Sequence, residues 1–187
     1  MIFVLSGPSG SGKTTLRDLL LKDKALKKLL VKSVSLTTRP MRLGEREGRD
    51  YFFINESAFI SLRKNKRILE WTRYLGYYYA TKKDLLESSL IKGKSVLLCL
   101  DFKGAKKIKK LYPREAVTIF IIPPSVKELR KRIEKRSLGT REEEITKRMS
   151  RAAEELRNIP EYDYALKNIN LVQAVKKLKG IILKQVI

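Results

Sequence analysis

A buried strand followed at once by a glycine-rich loop constrains the fold of this chain more than any other feature. Residues 1–6, MIFVLS, are an uninterrupted apolar run, the pattern of a strand buried on both faces of a sheet. Residues 7–14, GPSGSGKT, match G-x-x-x-x-G-K-[ST], and Leu16, Leu19 and Leu20 then fall on one helical stripe. The chain therefore begins as strand, loop and helix, which is the setting that a phosphate-binding loop requires.

Residues 7–14, called the phosphate loop below, suit the parts of a nucleoside triphosphate. Glycines let consecutive amide N–H groups turn towards phosphate oxygens, and the following helix adds the positive end of its dipole. Lys13 would reach the terminal phosphates, and the Thr14 hydroxyl would face Mg²⁺. The alternative is a glycine-rich turn with a chance Lys-Thr pair, which the flanking strand and helix disfavour. The expected site consists of Gly7, Pro8, Ser9, Gly10, Ser11, Gly12, Lys13, Thr14 and Thr15.

Apolar runs and helical patterns alternate along the rest of the chain. Strands are predicted at residues 31–36, 95–100, 116–122 and 164–167, and a helix that a glycine closes is predicted over residues 80–93. This alternation predicts a single α/β domain with a mostly parallel sheet covered by helices on both faces.

Two capping patterns predict a helical hairpin in the last third of the chain. Ser125 precedes Glu128 by three residues, and Thr140 precedes Glu143 in the same way. The apolar residues that would face inward are Val126, Leu129, Ile133, Ile145, Met149, Ala152 and Leu156.

The net charge of +22 raises the question of an anionic partner such as nucleic acid. However, the lysines of KKIKK (residues 106–110) and VKKLK (residues 175–179) are interleaved with aliphatic residues at helical spacing. This pattern favours solvated faces of amphipathic helices, so we do not expect a nucleic-acid partner. A hot habitat or a biased genome would also enrich lysine.

The remaining composition narrows the chemistry and the compartment. Histidine is absent, which removes the usual proton shuttle, and the single Cys99 excludes an internal disulfide and reads as a small core residue. No apolar run reaches the length of a membrane span and no basic leader precedes the first strand. We therefore expect a cytoplasmic protein, not bound to a membrane, whose chemistry rests on cations, carboxylates, hydroxyls and backbone amides.

Residues 35–53, SLTTRPMRLGEREGRDYFF, follow neither a helical nor a strand period and are called the arginine segment below. Arg39 and Arg42 could converge on one phosphate if the segment is curled by its glycines, and Tyr51 adds a hydroxyl donor. A guanidinium donates two parallel hydrogen bonds and stays charged at any working pH. A second phosphate would need such a clamp, because two anions repel strongly in a site that excludes water.

These residues resemble the guanylate kinase family of P-loop nucleoside monophosphate kinases. The arginine segment is similar to the family signature S-x-T-T-R-x-x-R-x-G-E-x-x-G-x-D-Y-x-F, and ILEWTRYLGYYYAT (residues 68–81) is similar to its E-W to G-N-Y-Y-G-T segment. VLLCLDFKGAKKIK (residues 96–109) and IFIIPPSVKELRKRIEKR (residues 119–136) resemble two further family stretches. The likeness therefore covers essentially the whole chain.

The resemblance implies a three-layer α/β sandwich of the P-loop class that phosphorylates GMP to GDP with ATP and Mg²⁺. Its core would comprise residues 1–34, 82–124 and 158–187, with an inserted GMP-binding subdomain at 35–81 and a helical lid at 125–157. We also expect dGMP as a substrate, because no residue identified here reads the ribose 2′-hydroxyl. Both a monomer and a homodimer remain open.

The resemblance also implies residue roles on both nucleotides. The GMP phosphate would be held by Arg39, Arg42, Tyr51 and Tyr79, and guanine would be read by Ser35, Glu70 and Thr81, while Asn168 would contact the adenine side of ATP. Guanine presents N1–H and N2–H₂ on one edge, which a carboxylate accepts together, whereas adenine would leave that buried charge unpaired. The alternative for Glu70 is a surface carboxylate. The alternative for the tyrosines is packing between strands, which we expect for Tyr77 or Tyr78.

Phosphoryl transfer would depend on Lys13 and on lid arginines, according to the same resemblance. Arg132 and Arg136 are i and i+4 on one helix and Arg148 lies on its partner, whereas solvated arginines are the alternative. Arg130, Arg141 and Arg151 have weaker claims. Asp101, also assigned to the GMP site, could accept from the substrate or from a water on Mg²⁺, or could cap a helix. The GMP phosphate is already anionic, so no strong base is needed.

Four departures from the family pattern stand out. Cys99 replaces the first acid of D-x-D, which puts the support of Mg²⁺ in doubt, and Tyr77 and Ala80 replace Asn and Gly at the rim of the guanine site. The lid turn RSLGTRE is one residue longer than usual and carries Arg141 in place of an acid, and KNIN replaces N-D-D so that Asn168 alone matches.

Two other functions on this scaffold remain open at this point. A kinase of a phosphorylated sugar would not need the guanine-reading carboxylate that Glu70 supplies. A non-catalytic module that binds phosphopeptides would typically lack the phosphate loop, whereas Lys13 and Thr14 are present here.

Overall fold

The fold was obtained as a computed structural model that describes residues 1–136 and 142–186. The strands are β1 (Ile2–Ser6), β2 (Leu30–Lys32), β3 (Leu36–Thr37), β4 (Phe52–Phe53), β5 (Ile68–Tyr74), β6 (Tyr77–Lys82), β7 (Ser95–Cys99), β8 (Ala116–Ile122) and β9 (Tyr164–Lys167). The helices are α1 (Lys13–Lys22), α2 (Glu56–Lys64), α3 (Lys83–Ile91), α4 (Phe102–Leu111), α5 (Val126–Arg136), α6 (Glu142–Arg157) and α7 (Leu171–Val186), with a short 3₁₀ turn at Ile159–Glu161.

The central sheet is parallel throughout its five strands, in the order β2-β7-β1-β8-β9. β1 lies in the middle, and its Val4 is opposite Leu98 of β7 and Thr118 of β8. Because parallel strands end at the same edge of a sheet, the phosphate loop after β1 lies beside the segments that follow β7 and β8.

Helices cover both faces of this sheet, as the alternation of strands and helices predicts. Successive side chains of a strand point to opposite faces. Phe3 and Leu5 pack in one core with α1 and α7, whereas Ile2 and Val4 pack in another with α3 and α4. The three-layer α/β arrangement is confirmed, and both faces of β1 are buried because apolar residues occupy every position of the strand except its last, the buried Ser6.

A second sheet of four strands, in the order β4-β3-β6-β5, has its own small apolar core. Leu36, Phe59 and Ala80 are buried there, and Tyr78 stacks on Phe59 with ring centroids 4.4 Å apart. The predicted packing between strands is confirmed for Tyr78 by its contact with Trp71 of β5, with ring centroids 5.7 Å apart. Trp71 meets both rings edge-on, so aromatic contacts supply much of this core.

Two predicted elements differ from the structure because the chain crosses between the sheets. The strand predicted at 31–36 is two strands, since β2 pairs with β7 of the central sheet and Leu36 of β3 pairs with Ala80 of β6. The helix predicted over 80–93 begins only at Lys83, because residues 80–82 pair with β5. Gly93 has φ +70° after the end of α3, as a helix-closing glycine requires.

The predicted helical hairpin packs through a third apolar cluster. Leu129, Ile133, Ile145 and Ala152 are buried in it. Val126, the first residue of α5, is expected to face inward but is 61% exposed. The Ser125 hydroxyl accepts a hydrogen bond from the Glu128 amide at 3.1 Å, which confirms that cap. The predicted cap at Thr140 and the turn with Arg141 lie outside the described residues.

The basic helices place most of their lysines in solvent, as predicted, whereas Lys109 and Lys179 are half-buried and pair with Asp163 and Asp23. In α4, Lys106, Lys107 and Lys110 are exposed around the fully buried Ile108, and α7 repeats this arrangement around Leu178. Within the described residues, no helix is long and apolar enough to cross a membrane.

Asp163 joins the start of β9 to β8 and provides a test of the sheet edge. Its Oδ2 accepts from the Thr118 amide at 2.8 Å and from the Thr118 hydroxyl at 2.9 Å, and both carboxylate oxygens accept from Lys109 at 3.0 Å. Burial raises the pKa of Asp163, but the hydrogen bonds from Thr118 and Lys109 outweigh it and hold the pKa below its ordinary value. The carboxylate therefore stabilises the fold in its ionised form.

We expect Asp163→Asn to lower the free energy of unfolding by about 1–3 kcal/mol at pH 7, measured by urea denaturation. A lowered pKa gives stability that is present above the unfolded-state value and is lost as the pH falls through the folded-state value. The difference from the wild type should therefore shrink below about pH 4. Glu161→Gln is the matched control, because its pair with Lys106 is solvent-exposed and should contribute under about 1 kcal/mol. Equal losses for the two variants would contradict this prediction.

Candidate active site

A cavity of about 410 Å³ lies between the phosphate loop, the second sheet and α6. Most residues that the sequence nominates line it: Gly7, Ser9, Gly10, Gly12, Lys13, Thr14, Ser35, Arg39, Arg42, Tyr51, Glu70, Tyr79, Asp101 and Arg148. This central cavity thus has the phosphate loop on one side and the arginine segment on the other.

The phosphate loop is shaped by glycines in conformations that other residues rarely adopt. Gly7 has φ +128° and Gly12 has φ +97°, and a side chain on either would collide with Ile121 or Asn168. The Lys13 ammonium folds over the loop and donates to the carbonyl oxygens of Gly7 and Pro8. Thr14 is exposed at the first turn of α1 and lines the central cavity.

Asn168 ties the phosphate loop to the end of β9. Its side-chain amide donates to the Ser11 carbonyl at 2.9 Å, and its backbone amide donates to Ile122 at 2.8 Å. Asn168 also lines a second cavity of about 320 Å³ on the outer side of the loop, together with Thr15 and Arg132. Because the side chain is only 5% exposed, its first role in this structure is to hold the loop.

Arg39 is buried and is oriented by Glu45, a residue for which the sequence analysis assigned no role. The Arg39 Nη2 donates to both Glu45 carboxylate oxygens, at 2.7 and 3.0 Å, and Glu45 also accepts from the Arg42 amide at 2.8 Å. Burial alone would raise the pKa of Glu45, but the hydrogen bond from Arg39 holds it below its ordinary value. The ion pair therefore curls the segment and fixes the guanidinium, while Arg42 stays exposed.

Two tyrosines extend the cationic side of the central cavity. The rings of Tyr51 and Tyr79 meet edge-on with centroids 5.9 Å apart, and Arg39 lies 5.6 Å from the Tyr51 ring centroid. Burial raises the pKa of Tyr51, so its hydroxyl keeps its proton and can donate. Tyr77, in contrast, is 38% exposed at the rim.

Glu70 is a buried carboxylate and not a surface one, which settles the alternative left open by the sequence. It is 5% exposed, and its Oε1 accepts from the Thr81 hydroxyl at 2.5 Å. Burial raises the pKa of Glu70 to about 7, and the nearby Asp101 acts in the same direction. Thr81 does not itself line the cavity but holds the residue that does.

Asp101 fits both interpretations that the sequence allowed. Its Oδ1 caps α4 by accepting from the Gly104 amide at 2.8 Å, and the residue also lines the central cavity. Cys99 is half-buried against the apolar core of the central sheet, as predicted, and it also lines the central cavity. Cys99 is the last residue of β7, at the carboxyl end of the strand, which borders the site. Burial raises the pKa of its thiol.

The arginines predicted to belong to a lid divide between the two cavities. Arg132 bonds Glu128 at 2.8 Å and faces the second cavity, with its Nη1 3.4 Å from the Gly10 carbonyl. Arg148 pairs with Glu144 and faces the central cavity. Arg130 pairs outward with Glu134 and Glu142. The side chain of Arg136 lies outside the described part of the structure.

Sequence reasoning missed or underrated two residues of α6. Arg151 lies 5.0 Å from the ring centroid of Tyr74, which joins α6 to the second sheet across the cavity mouth. Glu155 lines the cavity, and its Oε2 is buried without a hydrogen-bond partner among the described residues. The helical spacing from Arg148 to Ala152 and Glu155 places them on one face, a signal that could have identified Glu155.

Comparisons with known proteins agree over the full length. The family model described as "Guanylate kinase" matches residues 1–185. A guanylate kinase from Caldanaerobacter subterraneus subsp. tengcongensis is 42% identical over 186 residues, which cover 99% of this chain and 87% of that protein. One from Desulfitobacterium hafniense is 41% identical, with coverage of 99% and 90%.

A solved structure gives the same answer in three dimensions. The crystal structure of guanylate kinase from Anaplasma phagocytophilum superposes with a TM-score of 0.81 at 34% identity and covers 99% of this chain and 85% of that one. With fold, cavity and full-length similarity in agreement, this chain belongs to the guanylate kinase family, whose reaction is the ATP-dependent phosphorylation of GMP.

Proposed function

We propose that ATP and GMP bind end to end with their phosphates meeting in the central cavity, the ATP phosphates in the phosphate loop and the GMP phosphate on the arginine segment. The observation that carries this proposal is that both cationic groups line one cavity. Two phosphates within reacting distance repel each other, and in a site of low dielectric constant this repulsion is far larger than in water. Opposed cationic cradles offset it and align the reacting atoms.

On the ATP side, amide N–H groups of residues 7–14 would receive phosphate oxygens at the start of α1. The Lys13 ammonium would exchange its carbonyl partners for the β- and γ-phosphate oxygens. Adenine would lie in the second cavity, where Asn168 and Thr15 supply polar groups and Ile169 and Leu171 supply apolar surface. Since Asn168 is engaged with Ser11, it would shape this pocket chiefly by holding the loop.

The residues of this site fit Mg²⁺ as the cofactor. Mg²⁺ keeps several waters and is usually bound through phosphates and one or two protein oxygens. The exposed Thr14 hydroxyl and the Asp101 carboxylate supply such oxygens, and the described residues contain no cluster of three or more metal-binding side chains. When bound, the ion would neutralise charge on the β- and γ-phosphates. Cys99 would provide no carboxylate for its waters.

On the GMP side, Arg39, Arg42, Tyr51 and Tyr79 would clamp the phosphate. Glu45 already fixes the Arg39 fork, so little side-chain freedom would be lost on binding. Glu70 would accept from guanine N1–H and N2–H₂ while Thr81 holds its Oε1. Ser35 and Asp101 line the same end of the cavity and would complete the site.

Transfer would need no general base. An anionic oxygen of the GMP phosphate would attack the γ-phosphorus of ATP, the bond from that phosphorus to the β,γ-bridging oxygen would break, and ADP would leave as GDP forms. Arg132, Arg136 and Arg148 would stabilise the migrating phosphoryl group from the lid, residues 125–157. That lid and the GMP-binding subdomain, residues 35–81, would close on a core of residues 1–34, 82–124 and 158–187.

The acceptor can be measured directly by titration calorimetry of GMP, dGMP, AMP, UMP, CMP and a sugar phosphate in the absence of ATP. Because Glu70 complements the guanine edge, we expect GMP and dGMP to bind at least about a hundredfold more tightly than the others. A coupled assay with the same panel should give the same order. Turnover of the sugar phosphate that equals that of GMP would reject the proposal.

We expect Lys13→Ala to lower kcat by about a hundredfold or more, because a cation aimed at the transferring phosphates is lost. GMP affinity, measured by calorimetry without ATP, should stay close to that of the wild type because Lys13 lies in the other cradle. Lys22→Ala is the control, since Lys22 is an exposed lysine on the same helix. Unchanged turnover of Lys13→Ala would refute its assigned role.

GMP binding should strengthen as the pH rises through 7, because only the ionised Glu70 can accept from both guanine donors. With the pKa of Glu70 at about 7, the ionised fraction and hence the affinity should rise about tenfold from pH 6 to pH 8. The GMP phosphate also titrates near pH 6, at about its second pKa. Glu70→Gln isolates that contribution, and an equally steep pH profile for this variant would contradict the role of Glu70.

A further inference from the structure

Gly104 lies in the first turn of α4, directly against the carboxylate of Glu70. The residue is buried, and its amide donates to Asp101 Oδ1 at 2.8 Å. A Cβ atom built at this position would lie 2.7 Å from Glu70 Oε2, 3.2 Å from Leu100 Cβ and 3.3 Å from Asp101 Oδ1. The first turn of the helix can therefore approach the Glu70 carboxylate this closely only because residue 104 has no side chain.

The backbone conformation of Gly104 does not itself require glycine. Its φ lies outside the left-handed region, unlike that of Gly7 or Gly12. Glycine is also a poor helix former, so alanine at this position would favour α4 if local packing were the only consideration. The approach of Glu70 is the closest contact that an added methyl group would disturb, since Leu100 Cβ and Asp101 Oδ1 lie farther away, at 3.2 and 3.3 Å.

An added Cβ would displace the carboxylate and not the helix. The nearest atom, Oε2, is the far end of a side chain, whereas α4 is held by the Asp101 cap and by the burial of Ala105 and Ile108. Glu70 Oε1 is held by Thr81, so a push on Oε2 would rotate or withdraw the carboxylate about that hydrogen bond. Recognition of two adjacent donors by one carboxylate depends on both oxygens, so a small rotation would lose it.

We infer that Gly104 is a specificity-determining positioning residue, which admits the Glu70 carboxylate to the place where it reads the guanine edge. This inference rests on the proposed role of Glu70 in GMP recognition. Gly104 touches no substrate in this account and acts through Glu70 alone. Replacement of Gly104 by alanine should therefore weaken GMP binding without lowering the stability of the fold. A glycine with a purely structural role would not give this combination.

The test compares Gly104→Ala with Gly180→Ala. Gly180 is the matched control because it lies within α7 and nothing would approach its added Cβ within 4 Å. Calorimetry would measure the dissociation constants of GMP and of ATP separately, and urea unfolding would give the transition midpoint. We expect both variants to keep or raise the midpoint, and only Gly104→Ala to weaken GMP binding, by about tenfold or more, with ATP binding within about twofold of the wild type.

A double-variant cycle shows whether Gly104 acts through Glu70. In a Glu70→Gln background, where the anionic acceptor is already lost, adding Gly104→Ala should weaken GMP binding by less than about threefold. GMP affinity of Gly104→Ala within twofold of the wild type, an equal loss of ATP affinity, a lowered midpoint, or full additivity in the cycle would each overturn the inference. If Glu70→Gln binds GMP as the wild type does, the proposed guanine recognition fails instead.

Discussion

The repulsion between two phosphate-bearing substrates is the constraint on which the rest of this structure depends. Moving such anions together in a poorly hydrated cavity requires cations on both sides, and each cation must be held in place before the substrates arrive. Backbone amides and Lys13 would do this at the end of β1, and Arg39 would do it beside the second sheet with Glu45 as its partner. The two sheets, with separate apolar cores, are the frame that opposes these groups.

Three of the carboxylates that line this cationic cavity have different structural roles. Glu45 orients an arginine, Asp101 caps a helix, and the buried Glu70 is nearly isolated from cations, so its pKa is raised to about 7. A carboxylate in a dry pocket is costly when it has no donor for its charge. The same cost makes Glu70 suited to discriminate, because only a base with two adjacent donors can compensate it.

The sequence predicts the central sheet well because burial on both faces leaves an unbroken apolar run, as in β1 and β8. The sequence predicts the phosphate loop for a different reason: the loop depends on local backbone conformation, and its positive φ angles require glycine at positions such as Gly7 and Gly12. The sequence does not predict that the chain crosses between the two sheets at residues 33–35, because a short polar link resembles the interior of an exposed strand. Glu45, Glu155 and the approach of Gly104 to Glu70 depend on tertiary contacts, and no periodicity records those.

The hydrogen bonds of Lys13 determine what ATP would meet on arrival. Its ammonium already rests on the carbonyl oxygens of Gly7 and Pro8, so the loop keeps its curvature through a bond between its own residues. An incoming nucleotide would offer the ammonium anionic phosphate oxygens in place of these two carbonyl oxygens, and opposite full charges attract more strongly than a charge and a dipole. Binding of ATP would therefore move the Lys13 ammonium only a short distance within the phosphate loop. The side chain would not have to be ordered from solvent.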